Sequence, residues 1–203
     1  MKKSILSGLL LLSMLGYGQE KLAKYSSLFF TNSYDISASS KMVFLILKKP
    51  CYYIDCSSKD ASSKMVSLIL KNKEVPEFTE YLNSIKETYT KWTLIAKENK
   101  VTELDKTIEY KNLTYSAAFM YGKWNFDFSV NLKARYKIVN EKYLLIIDSD
   151  ELQSSSNQYI KSEGFRIVFS SIQEIDELIS GLDFKLVDEF YNKKKGQEDL
   201  FKN

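Results

Sequence analysis

The chain has 203 residues, 29 of them basic and 26 acidic for a formal charge of +3, and it contains no histidine. A balance so near zero lacks the basic excess of a nucleic-acid footprint, and a chain without histidine has neither Ser-His-Asp nor Cys-His catalysis open to it. Fourteen tyrosines and twelve phenylalanines against seven glycines and two prolines suit long strands and helices better than a disordered chain.

At the N-terminus, Met1-Lys2-Lys3 is basic, residues 5–15 are apolar, and Gly16 and Gly18 stand third and first before a cut after residue 18. This is the pattern of a secretory signal peptide. The apolar run is shorter than the roughly 18 residues needed to span a bilayer. A single α+β domain is therefore expected over residues 19–203, long enough to bury a core, and its charge would fall to 27 basic against 26 acidic residues. No cysteine lies near the cut, so no lipid anchor is expected, and no later segment is apolar enough to cross a membrane.

The stretch "ASSKMVFLILK" at 38–48 returns at 61–71 as "ASSKMVSLILK", with Ser67 where the first copy has Phe44. Residues 42–47 read as a strand apolar on both faces, and 65–70 as the same strand with one face made more polar. Neither copy carries a glycine-rich cradle, an acid pair or a nucleophile beside a base, so the repeat reads as scaffold. Between them residues 52–57 are a third strand, and a meander of the three would set the copies parallel on either side of it. Cys51 and Cys56, five strand steps and roughly 16 Å apart, exceed the reach of about 7 Å for a disulfide and are expected to stay unbonded.

A helix is expected over 76–98, opened by Pro76 in its first turn and carrying Phe78, Leu82, Ile85, Tyr89, Trp92 and Ala96 as one stripe. Strands follow at 107–111 and 114–121, then a hairpin at Gly122-Lys123 and a long strand over 124–138. In that strand Trp124, Phe126, Phe128, Val130, Leu132, Ala134, Tyr136 and Ile138 share a buried face, and the alternate residues Asn125 to Lys137 a wet one. A strand over 143–149, a loop at 154–158 and a strand over 164–170 lead to a second helix, 171–192. Ser171 and Glu174 form its capping box, Ile175, Leu178, Ile179 and Leu182 its buried stripe, and Gly181 a point where it can break. The tail from 193 is expected to fray. "EVPEFTEYL" at 74–82 and "EIDELISGL" at 174–182 share a pattern, each as the entry from strand to helix.

These elements describe a curved antiparallel sheet with helices 76–98 and 171–192 on one face, preceded by a short N-terminal strand pair. The element order is similar to that of the TATA-binding-protein-like and helix-grip folds. That resemblance implies architecture and carries no functional residue across.

Two groups of side chains are candidates for chemistry. Tyr52, Tyr53, Tyr115, Tyr121 and Trp124 could stack on a carbohydrate or line an apolar pocket between sheet and helix, although aromatics at strand spacing are more often core. Asp148, Asp150 and Glu151 gather at a strand end, as carboxylates do for calcium or for glycoside cleavage, although a solvated strand end has the same composition. No catalytic residue, metal or cofactor is expected. The expected function is a secreted or periplasmic non-enzymatic module binding a ligand or protein through its sheet. A structural subunit is the alternative, and an exported carboxylate-dependent hydrolase a third reading. Its partners would be another protein or further copies of itself.

Overall fold

The computed structural model describes residues 20–26, 33–39, 51–59 and 65–183, with scattered positions between 185 and 201. The expected signal peptide, the first repeat's strand at 42–47 and most of the helix extension 184–192 lie outside the described residues.

The strands are β1 (Glu20–Ser26), β2 (Ser33–Ser39), β3 (Cys51–Ser58), β4 (Val66–Lys71), β5 (Leu104–Ile108), β6 (Thr114–Tyr121), β7 (Lys123–Val139), β8 (Lys142–Ser149), β9 (Leu152–Ser154), β10 (Asn157–Ser162) and β11 (Phe165–Phe169). A 3₁₀ turn (Asn72–Glu74) and helix α1 (Val75–Glu98) follow β4, and α2 (Ile172–Gly181) follows β11. Among the described residues every strand pair is antiparallel, so the fold is α+β.

The pairings close on themselves. β3 pairs with β4, β4 with β6, β6 with β7, β7 with β8, β8 with β11, and β11 returns to β3 at Phe165 opposite Ser58. The 17 residues of β7 serve both halves, pairing with β6 through Lys123 to Asn131 and with β8 through Leu132 to Val139. Closure of this kind leaves few open edges for another chain to add to.

Inside the curl lies the main core. The α1 stripe of Val75, Phe78, Leu82, Ile85, Tyr89 and Ala96 packs with Leu68, Leu70, Phe119, Tyr136, Phe165 and Phe169 from the sheet. α2 adds Ile175, Leu178 and Leu182, and Lys86 of α1 meets Asp176 of α2 at 2.7 Å. Successive strand residues point to opposite faces, and Cys51, Tyr53, Ile69 and Ala118 form a second cluster on the outer face, flanked by Phe126. β3 and β4 thus bury both faces, as their unbroken apolar runs require.

The repeat's second copy is β4, on one side of β3. On the other side sits β2, built from residues 33–39; its sequence SYDISAS and that of β1, EKLAKYS, carry too little apolar alternation to signal strands. β5 lies three residues earlier than the expected 107–111. The expected loop at 154–158 holds the ends of a hairpin, β9 with β10, turning at Ser155-Ser156. The β6–β7 turn is tighter than a two-residue loop: Tyr121 faces Lys123 across Gly122, whose φ of +66° is open to glycine at no steric cost. α2 stops at Gly181, capped by Leu182.

Candidate functional site

The long strand does not keep one buried face throughout. From Val130 onward the expected alternation holds, with Val130, Ala134, Tyr136 and Ile138 buried. Before it the phase inverts: Asn125 is buried, while Trp124 and Phe128 are 40% and 49% exposed. The cause is a β-bulge. Tyr115 pairs with Val130 but Ala117 pairs with Asp127, so two steps on β6 oppose three on β7. One extra residue turns every side chain beyond it to the other face.

Asp127 fixes the bulge. Its Oδ1 accepts from the Ser129 amide at 2.9 Å and its Oδ2 from the Gln153 amide at 2.8 Å, tying β7 to β9. The result is an outward aromatic face near the β6–β7 hairpin. Phe126 lies opposite Ala118 and Trp124 opposite Met120, and the Phe126 and Phe128 rings are 10° from parallel with centroids 6.5 Å apart. Tyr121, 49% exposed, stands at the hairpin end. Beside this face the Ser155 amide donates to the Phe126 carbonyl at 2.8 Å, which brings the exposed tip of the β9–β10 hairpin alongside.

The five aromatics singled out by sequence are thus not one site. Tyr52 and Tyr115 belong to the main core, where Tyr115 meets Phe78 edge-on at 5.5 Å and burial pushes its phenol up. Tyr53 is buried in the outer cluster, its phenol pushed up to about 12, first by burial and then by Cys51. Tyr121 and Trp124 alone reach solvent at the hairpin. Phe126 and Phe128, their companions on the outer face, were concealed by the bulge, whose only trace in the sequence is Asp127 followed by Ser129 in an otherwise regular alternation.

The acidic candidates diverge. Asp148 is held by Arg166 at 2.6 Å and Arg135 at 3.6 Å, Asp150 by Lys133 at 2.6 Å, and Glu151 by Lys161 at 2.7 Å. Each carboxylate answers its own cation, and among the described residues no group of three or more carboxylates or thiols is arranged to hold a metal. Cys51 and Cys56 form no disulfide with each other and are both buried, on opposite faces of β3, with burial pushing both thiols up.

One further concavity, a groove of about 520 Å³, runs along the solvent side of α1 and is lined by Lys86, Thr90, Lys91, Leu94, Ile95 and Ile172 among others. Its floor is apolar, with Leu94 58% exposed. No protein-family model matches the chain, and neither a curated protein nor a solved structure matches it.

Proposed function

We propose that the protein is an exported, non-enzymatic binding module that engages its ligand or partner through the outer aromatic face at the β6–β7 hairpin. The observation that carries this reading is the exposure of Trp124 and Phe128 on a strand whose outward turn is built by a bulge and held by Asp127. Bulges of this kind re-aim side chains near functional surfaces, and large aromatics exposed together on one face mark interaction surfaces. Export rests on the leader pattern of residues 1–18, and the helix-grip reading on the element order and on a sheet that curls round α1. Against carboxylate chemistry stands the pairing of Asp148, Asp150 and Glu151 with separate cations.

Acrylamide quenching tests it. In a Trp92→Phe background Trp124 is the sole indole, and cell-envelope or medium fractions should shield it, with Phe128→Ala restoring access. Shielding that grows with protein concentration alone would favour the assembly subunit. If no fraction shields Trp124 in folded protein, the reading fails.

A further inference from the structure

The side of α1 that faces away from the core is not uniformly polar. With Tyr89, Trp92 and Ala96 turned toward the core, helical spacing lines up Glu87, Lys91, Leu94 and Glu98 on the opposite side, with Ile95 beside them. Leu94 and Ile95 are exposed there, and the exposed Ile172 at the start of α2 lines the same groove. The Lys86–Asp176 bridge at 2.7 Å ties α2 to α1 beside it, so the walls are set before anything docks. An apolar floor within a charged rim is the anatomy of a protein interface.

The charges on the rim select the occupant. Lys86 is answered by Asp176, and Lys97 Nζ lies 5.5 Å from the centroid of the Tyr143 ring. Glu87, Lys91 and Glu98 make no ion pair among the described residues. An anionic lipid surface or a nucleic acid would need a cluster of cations, and this rim carries both signs. A second copy of the same helix matches it. Three residues separate Lys91 from Leu94 and also Ile95 from Glu98, so a single antiparallel register satisfies both pairs: Leu94 of each copy meets Ile95 of the other, and Lys91 of each faces Glu98 of the other. Lys91 then also lies near the C-terminal carbonyls of the second copy's helix, where a cation is favoured, and Glu87 lies beside the exposed Lys100 just past that helix.

We propose that α1 is a homodimer interface, in which two copies pair antiparallel about a two-fold axis through Leu94 and Ile95, with Ile172 walling the contact and Lys91–Glu98 ion pairs closing both ends. A two-fold interface must be self-complementary in this way. A contact of about two helical turns is small beside the roughly 800 Å² that each partner gives to a stable complex, so association is reversible rather than obligate. The outer cluster flanked by Phe126 lies on the opposite side of the sheet from α1. A dimer built on α1 therefore presents two hairpin faces outward, the arrangement in which avidity arises. The pairing itself does not depend on what those faces bind.

Sedimentation of the purified protein from low micromolar to millimolar concentration tests it. The sedimentation coefficient should rise from that of a monomer toward that of a dimer, and Leu94→Asp should raise the dissociation constant tenfold or more at unchanged melting temperature. Lys91→Glu and Glu98→Lys should each weaken pairing alone. An equal mixture of these two variants should dimerise again, because each reversed charge then faces its opposite at both ends. In the Trp92→Phe background, Trp124 should stay equally open to acrylamide in monomer and dimer. A monomer at every concentration, a dimer indifferent to Leu94→Asp, or a mixture that stays monomeric would overturn the proposal. A monomer that captures an envelope protein only while Leu94 is intact would give the groove to that protein and overturn self-pairing. Dimerisation that shields Trp124 would move the contact to the hairpin face and overturn it as well.

Discussion

Ser67 is the one position at which the repeat differs, and it has a local reason. Its hydroxyl donates to Asp55 Oδ1 at 2.8 Å across the β3–β4 pair, and it is only 4% exposed. Restoring the first copy's residue with Ser67→Phe would strip Asp55 of that donor and force a ring into filled space. Overpacking of this kind costs about 1–3 kcal/mol, which urea denaturation would register as a lower midpoint at unchanged slope. Next to it Leu68 is fully buried in the main core, and Leu68→Ala should cost about 2–5 kcal/mol through lost burial and a cavity. A stable Leu68→Ala protein would mean the repeat is not scaffold. The cysteines make a third residue-level test: both thiols are buried, and a thiol reagent should label neither in the folded protein and both after denaturation, with no disulfide-linked peptide found without reductant.

Two strand-to-helix entries do the same work in different parts of the chain. Glu74 Oε2 accepts from the Lys71 amide at 2.9 Å where β4 passes into α1, and Glu174 accepts from the Ser170 amide and hydroxyl where β11 passes into α2. Burial follows in step: Val75, Phe78 and Leu82 on one helix, Ile175, Leu178 and Leu182 on the other. Both preceding strands pair with β3. Glu174 is 4% exposed, so Glu174→Ala would leave buried donors without their acceptor and should cost about 1–3 kcal/mol, read as a fall in the midpoint of denaturation. The helices were legible in the sequence because an amphipathic stripe and a capping pattern are local signals. α1 at Val75–Glu98 departs from the reading by a single residue, and β6 is as read. The aromatic face was half legible. Trp124 and Tyr121 stood out by residue type, but Phe126 and Phe128 fitted an inward alternation perfectly well, since a bulge is a property of two strands together and leaves periodicity in one of them intact. The ring closure was hidden for a similar reason: two residue pairs between β11 and β3 join segments about a hundred positions apart, and no window of sequence contains both.

At the scale of the whole molecule, the curled sheet keeps several phenols out of water. Burial is the chief cause that pushes Tyr53 and Tyr89 up to about 12 and drives Tyr81 and Tyr115 higher still. Tyr89 donates to the carbonyls of Tyr143 and Ser170, both at 3.1 Å, whereas the Tyr81 and Tyr115 hydroxyls have no protein partner among the described residues. In an unfolded chain a phenol releases its proton near pH 10; in the fold these four hold theirs to higher pH. Between about pH 10 and pH 12 the unfolded state therefore binds fewer protons than the folded one, and stability must fall as pH rises through that window. The contribution is fully present below pH 10 and is lost above the folded values. Urea denaturation from about pH 8 to about pH 12 should show a flat region followed by a steep decline, beginning before the lysines titrate fully. Tyr115→Phe separates this cause from general charge repulsion. It removes a buried hydroxyl that has no acceptor, so stability near neutral pH should hold or rise, and the alkaline decline should become shallower by the share of that phenol. An unchanged alkaline slope in Tyr115→Phe would show that the ring of strands does not hold this phenol protonated, and a fall in stability at neutral pH would show that its hydroxyl has a partner after all.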